Sequence, residues 1–299
     1  MHEIASQTPE NGATPGIRWL LENNEHDRLM KDSLCRVALT RLLDDLVQAL
    51  PGTHSTLLLG RTPIGSVSPE FAHRLLTDDP ALEHGEGWLR IESPMTAPEL
   101  SARWGERVAR LRGEGWFKAW RDEAYDVIHP DDEFAEQPYC QLERGVFRRF
   151  GLLSRAIHLN AWTPDGRMWI ARRAASKAVD PGLLDNLVGG GIGAGEAVQQ
   201  TLLRECFEEA GIPPELGRHA VETTRLRSRR SEDEGVHHEV LHVFDVRLPV
   251  DFVPRNQDGE VADFMLIDRV ELTERVLAGE FTADAGAVAA HWLLRQGFD

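Results

Sequence analysis

Apolar residues recur at helical spacing from Arg28 to Leu50, through Leu34, Val37, Leu39, Leu42, Leu43 and Leu46, and Pro51-Gly52 ends the run. The pattern predicts a helix there, after a polar, turn-rich tail over residues 1–15. "STLLLGRTPIGSVSP" then reads as strand, turn and strand, "EFAHRLLTD" as a helix and "GWLRIES" as a strand. "APELSARWGERVARLRGEG" is an amphipathic helix stopped by glycine. "LERGVFRRFG" reads as helical and closes a first α+β unit, residues 16–151.

After residue 151 the texture changes. "SRAIHLNAW" and "RMWIARR" flank a Pro-Asp-Gly turn and predict a hairpin. "VETTRLRSRR" and "VHHEVLHVFDVRL", joined by "SEDEG", predict a second strand pair. In its later strand His238, Val240, His242, Phe244, Val246 and Leu248 alternate onto one face. One helical pattern lies between the two pairs, and "DRVELTERVLAGEFTADAGAVAAHWLLRQ" supplies two closing helices. Residues 152–299 are therefore expected to form a second unit of α/β (α+β) class and ordinary domain size.

Charge narrows the partners. The 299 residues include 33 basic and 49 acidic ones, a net charge of −16. That argues against a general nucleic-acid or anionic-membrane surface, since both reward a basic patch. A small phosphorylated ligand stays compatible, because a divalent cation can bridge acid to phosphate. Cys35, Cys140 and Cys206 are too widely spaced for a metal knuckle and make no even disulfide set, which suits a reducing compartment. The N-terminus lacks a basic stretch followed by an apolar run, and no segment has the apolar length of a membrane span. The expectation is a cytoplasmic protein with a small-molecule partner, no nucleic acid and no membrane; a homodimer stays open.

The candidate chemistry sits in "LVGGGIGAGEAVQQTLLRECFEEAGI", residues 187–212. Glu205, Glu208 and Glu209 share one helix face, and like charges so spaced repel by a few tenths of a kcal/mol per pair. A P-loop is excluded, because no Lys-Ser or Lys-Thr follows a glycine here. A dinucleotide turn through Gly189, Gly191 and Ala194 is disfavoured, since the helix it opens is too acidic to meet a pyrophosphate directly. Leu202, Leu203, Cys206, Phe207 and Ala210 form an apolar stripe away from the carboxylates, so the helix can dock on a sheet and hold the acids toward a cleft. Carboxylates so placed suit Mg²⁺ or Mn²⁺, and a bound cation turns the repulsion into attraction. The bland alternative is a solvated acidic face.

The spacing decides between them. Gly190, five residues, Glu196, seven residues, then Arg204-Glu205-Cys206-x-Glu208-Glu209-x-Gly211-Ile212 resembles, position by position, the signature of the Nudix hydrolases. The resemblance implies a Nudix α/β/α sandwich with a mixed sheet, here preceded by a smaller α+β domain. It implies a metal, Mg²⁺ or Mn²⁺, held by the Gly190 carbonyl and by Glu205, Glu208 and Glu209. The implied reaction is attack of water on a diphosphate linkage. Arg204 would orient a carboxylate, or else form a surface ion pair. The base would be a box glutamate such as Glu205, or the later Glu260 in "PRNQDGEVADF". The catalytic candidates are thus Glu205, Arg204 and Glu260.

"MWIARRAASKAVDPGLLDNLVGGGIGAGE" and "LPVDFVPRNQDGEVADFMLI", with "LLLGRTPIGSVSPEFAHRLL" and "WFKAWRDEAYDVIHP" upstream, resemble the Nudix branch related to domains fused to thiamin pyrophosphokinase in fungi. That implies hydrolysis of thiamin diphosphate, or its damaged oxo- and oxy-forms, to the monophosphate; ADP-ribose or nucleotide-sugar diphosphates are the alternative. A flat heteroaromatic head calls for stacking, for which Trp116, Trp120 and Tyr125, or Trp162 and Trp169, are candidates. His158 and Asn160, alternating on the first strand of the second unit, are further candidate substrate contacts, each weighed against a core role. His237, His238 and His242 make a poor zinc set, since only His238 and His242 share a strand face. An isopentenyl-diphosphate isomerase-like reaction needs a cysteine beside the diphosphate, and Cys206 falls on the buried side of the helix. A non-catalytic sensor would be expected to lose box glutamates, and all are present.

Overall fold

The computed structural model describes residues 25–91, 95–131 and 137–296; the predicted tail, 1–15, lies outside them. α1 (Glu25–Asp44) opens the described chain. It ends before the predicted Leu50 because the chain turns off to pair with a later strand: Gln48 N donates to Arg229 O at 2.8 Å and Arg229 N to Leu46 O at 2.8 Å. β1 (Ser55–Leu59), β2 (Thr62–Val67), α2 (Pro69–Asp78), β3 (Glu83–Gly85) and β4 (Trp88–Ile91) follow. The strands form a sheet in the order β2-β1-β4-β3, and α3 (Ala97–Gly113) packs with α2 on its core through Trp104, Leu111, Phe71 and Leu75.

β5 (Ala124–Val127) and β6 (Cys140–Glu143) then pair as a two-stranded ribbon, and α4 (Phe147–Phe150) ends the first unit. "LERGVFRRFG" is therefore not one helix. Leu142 and Glu143 belong to β6, a single 3-10 turn follows, and only Phe147–Phe150 is α-helical.

The second unit runs β7 (Ser154–Trp162), β8 (Met168–Arg173), β9 (Leu184–Asn186), β10 (Val188–Gly191), α5 (Val198–Ala210), α6 (Pro214–Gly217), β11 (Val221–Glu232), β12 (Gly235–Arg247), β13 (Val261–Ile267), α7 (Arg269–Leu277) and α8 (Ala283–Gln296). Its sheet has the order β11-β12-β7-β8-β13, with β10 on β7 and β9 on β8. β12 and β7 run parallel and the other pairs antiparallel, so the sheet is mixed. The predicted β7–β8 hairpin pairs only at Ala161↔Trp169 and Trp162↔Met168, because β10 and β9 take over the two strands beyond that point.

Strand alternation sorts the two faces. Ile157, Leu159 and Ala161 of β7 pack with Leu202, Cys206 and Ala210 of α5. Met168 and Ile170 pack with Leu272 of α7, Ala289 and Leu293 of α8, and Leu39 of α1. This is the α/β/α sandwich expected, with α1 joining the helical layer opposite α5; the sequence groups α1 with the first unit, but Leu39 packs it against α7 and α8 of the second. α1 buries Leu39 but leaves Leu34 and Val37 exposed. Burying one leucine such as Leu202 is worth about 1.5–3 kcal/mol, which outweighs the few tenths lost per carboxylate pair on α5. Among the described residues, no helix is long and apolar enough to cross a membrane.

Candidate active site

α5 stops at Gly211, whose φ of 63° is the left-handed C-cap conformation that glycine adopts without strain. Ile212 N donates back to Cys206 O at 2.9 Å. The helix therefore ends just beyond Glu208 and Glu209, leaving carbonyls there without intrahelical partners. The loop after β12 takes them: Gln257 N donates to Glu208 O at 2.8 Å and Arg255 N to Ala210 O at 2.9 Å. Glu260 closes this loop, just before β13, and its backbone oxygen accepts from Ala174 N at 2.9 Å. The helix end thus positions Glu260, and the loop that carries it is tied at several points.

Arg204 is the hub of the carboxylates. Its Nε and Nη2 donate to Glu196 at 2.8 and 3.0 Å, and its Nη1 donates to Glu205 at 2.8 Å and Glu208 at 3.0 Å. Glu196 also accepts from Gly193 N at 3.1 Å and Thr201 Oγ1 at 2.9 Å. Its bond to Arg204 is the main reason its carboxyl lies below the ordinary range. One guanidinium therefore supplies part of the countercharge the helix face requires, by orienting carboxylates through ion pairs.

The other acids differ in environment. Glu205 lies over Gly190, where a β-carbon would fall on its carboxyl group, and burial pushes it up to about 7 against the pull of Arg204. Glu209 is buried and accepts from Gly189 N at 2.8 Å; burial holds it well above its ordinary value. Glu208 sits at the rim, partly exposed. Burial also raises Glu260, but the Lys177 ammonium bonded to it, with Arg144 and Arg121 acting from farther off, outweighs this and holds it low.

Carboxylate oxygens of Glu209, Asp258 and Glu260 lie within 4.8 Å of one another. A buried carboxylate group beside two more hard oxygen donors and below a glycine cradle fits a divalent cation, whose charge would offset the cost of burying it. Asp258 was absent from the sequence candidates. Its signal was proximity alone, two residues before Glu260 in the Asp-Gly-Glu turn, where it accepts from Glu260 N at 2.8 Å. Lys177 carried no spacing signal, because its partner lies 83 residues away.

Tyr125 reaches this site. Its hydroxyl stands where a side chain on Gly191 would fall, and β5 is fastened to the same turn by Ala194 N to Ala124 O at 2.8 Å and Gly195 N to Asp126 Oδ2 at 2.9 Å. The predicted tryptophans do not. Trp116 packs in the first unit's core, 5.4 Å from Phe71, and Trp120 lies under Arg112 with its Nε1 donating to Asp122 at 2.8 Å. Trp162 meets Trp292 on the α8 side, and Trp169 packs in the α5-side core.

His158 and Asn160 are buried on the α8 side of β7, because odd positions of that strand face α5. His158 Nδ1 is 2.8 Å from Asn186 Oδ1, Asn186 Nδ2 donates to Asn160 Oδ1 at 3.2 Å, and Asn160 Nδ2 donates to Asp245 Oδ1 at 3.0 Å. This chain joins sheet strands beneath α8 and borders the site: Asn186 lines the same cavity as Glu209 and Glu260, and the His158 ring lies against Gly189. The three histidines do not converge either. His237 meets Asp284, already bonded to Arg230 and Ser228, while His242 lies 2.9 Å from Glu222.

Comparison with known proteins agrees with this architecture. A family model described as NUDIX domain matches residues 153–287. Nudix hydrolase 20, chloroplastic, of Arabidopsis thaliana is 32% identical over 218 residues, 71% of this chain and 58% of its own length. Nudix hydrolase 24, chloroplastic, of the same plant is 33% identical over 216 residues, again 71% and 58%. The chain thus spans less than two thirds of these relatives, yet the matched lengths exceed the second unit and extend into the first. Among solved structures, that of DR0079 from Deinococcus radiodurans covers 59% of this chain and 100% of its own, at 22% identity and a TM-score of 0.42. Residues 153–287 carry a Nudix domain, and over 71% of its length the chain is similar to these plant Nudix hydrolases.

Proposed function

We propose that this chain is a divalent-metal-dependent hydrolase of phosphoric anhydrides, with thiamin-type diphosphates as its leading substrates. The observation that carries the reading is the convergence of Glu209 with Asp258 and Glu260 beside Glu205 and Glu208. Glu205, Glu208, Glu209, Asp258 and the Gly190 carbonyl are the groups that would hold Mg²⁺ or Mn²⁺. When bound, the cation lowers the pKa of the attacking water and neutralises charge on the diphosphate. Arg204 keeps Glu205 and Glu208 oriented. Glu260, held ionised by Lys177, accepts the water's proton on the oxygen that Lys177 leaves free.

The thiamin assignment is supported by the flanking segments that resemble that branch. One observation favours the second reading, an ADP-ribose or nucleotide-sugar pyrophosphatase: Trp116 and Trp120, expected to stack on a thiamin head, pack against the first unit's core. The test measures phosphate released from thiamin diphosphate and its oxo- and oxy-analogues, and AMP released from ADP-ribose, with Mg²⁺ or Mn²⁺ present and Glu209→Gln as control. Metal-dependent release from the thiamin compounds, lost in the variant, supports the leading reading. Cleavage of ADP-ribose alone moves the assignment to the second, and no turnover of any compound overturns both.

A further inference from the structure

We infer that Arg121 and Arg144 of the first unit form the anion-recognition wall of the Nudix cleft, binding a substrate phosphate from the side opposite the box helix. The inference rests on the proposed diphosphate chemistry and adds to it that the first unit completes the active site.

Both arginines sit on a firmly held backbone. The Glu143 carboxylate accepts from Arg121 N at 2.8 Å, Glu123 N at 3.2 Å and Gly145 N at 3.1 Å. Arg144 N donates to Glu123 O at 2.7 Å. A side chain on Gly145 would fall on Ala119 O, so the loop carrying Arg121 is packed directly against the end of β6. The ribbon is in turn bonded to the box turn through Ala124 and Asp126, with the Tyr125 hydroxyl against Gly191. The Arg144 guanidinium lies 5.2 Å over the Tyr125 ring. Arg144 thus sits over the ring whose hydroxyl meets the box turn at Gly191, Arg121 lies on the loop packed against the end of β6, and both charges help to hold Glu260 low.

The distribution of cations points the same way. Arg204 is committed to three carboxylates, Lys177 to Glu260, and Arg173 to Asp185 and the carbonyls of Val179 and Asp180. Arg144 makes one ion pair, to Glu123 at 2.9 Å, and so keeps donors available. Arg121 is exposed, and its guanidinium has no partner among the described residues. A diphosphate entering a cleft of a chain with net charge −16 needs uncommitted positive charge at the entrance. A guanidinium fork matches phosphate oxygens in geometry as well as charge.

The test uses the full chain, loaded with Mn²⁺, and inorganic pyrophosphate as probe, followed by calorimetry. Arg121→Gln and Arg144→Gln are each expected to weaken pyrophosphate binding about tenfold or more, as loss of a charge-assisted contact does. Mn²⁺ affinity, read by electron paramagnetic resonance, stays at the wild-type value, and Arg144→Lys recovers part of the loss. With a cleavable diphosphate the change falls on KM rather than kcat. Arg121→Gln removes an exposed, unpartnered side chain, so its folding is not at issue. Wild-type binding of Mn²⁺ and pyrophosphate with both Gln variants indifferent overturns this inference alone. Failure of the wild type to bind Mn²⁺ overturns the hydrolase reading and this inference with it.

Discussion

Arg204 grips Glu196 through two hydrogen bonds, Nε to Oε1 at 2.8 Å and Nη2 to Oε2 at 3.0 Å, while Nη1 reaches both Glu205 and Glu208. Removing this guanidinium leaves three carboxylates without their shared countercharge. Arg204 is partly exposed, so solvent screens part of the loss. Arg204→Gln is expected to cost about 1–2 kcal/mol in metal-free protein, a melting temperature lower by roughly 3–6 °C. Saturating Mn²⁺ should narrow the gap, because the cation supplies charge to the same face. Melts in chelator and in Mn²⁺ check this, and equal wild-type and variant melting in chelator would show that Arg204 is not the compensating charge.

Glu205 gives the site a pH dependence of definite sign. Burial raises its carboxyl from 4.5 to about 7, so the folded protein holds this proton where the unfolded chain has released it. Its contribution to stability is present below about pH 4.5 and is lost as pH rises through about 7 in metal-free protein. Metal must displace the proton, so Mn²⁺ affinity should climb by up to about tenfold per pH unit below this pKa. Glu209, pushed up by burial as well, adds to the slope. Mn²⁺ titrations across this range should release one proton fewer per ion in Glu205→Gln; unchanged proton release would remove Glu205 from the metal shell.

Lys177 and Glu260 come from loops 83 residues apart, and their ion pair holds the half-exposed Glu260 carboxyl low against partial desolvation. Lys177→Met leaves burial as the stronger influence and should raise the Glu260 pKa. If Glu260 is the base, the acid limb of the kcat/KM profile moves to higher pH in the variant. An acid limb that stays in place assigns the base elsewhere.

The box helix is legible in the sequence because a rigid spacing and a 3.6-residue period coincide there, yet the buried stripe is narrower than the periodic one. Leu202, Cys206 and Ala210 meet the sheet, while Phe207 is 54% exposed and Glu209 is buried beside them. Periodicity marks the apolar side of a helix; the loop around Glu260 decides which flank of it is covered. The same limit explains His158 and Asn160. Their alternation on β7 was correct, but alternation does not say which face looks toward α5. β5 and β6 have four residues each and little pattern of their own, and Lys177 meets Glu260 only through the tertiary fold.

Gly190 and Gly191 are neighbours on β10, yet alanine should affect them in opposite ways. Neither has a positive φ, so the backbone accepts a side chain and only space is at issue. At Gly190 the obstacle is the carboxyl end of Glu205, which can swing aside. Gly190→Ala should therefore change stability by less than about 0.5 kcal/mol while displacing a metal ligand and weakening Mn²⁺ binding. At Gly191 the obstacle is the Tyr125 hydroxyl, on a ring that is 4% exposed and packed 5.5 Å from Phe147. That ring cannot move without shifting β5, so Gly191→Ala should cost about 1–3 kcal/mol. Tyr125→Phe in the Gly191→Ala background removes the clashing oxygen and should recover part of the loss, with the ring carbon that bore it still 2.7 Å from the new methyl group. Melting curves and Mn²⁺ titrations of the four variants, including Tyr125→Phe alone, check the contrast. Strictly additive effects of the two substitutions would mean that Tyr125 does not lie against this turn.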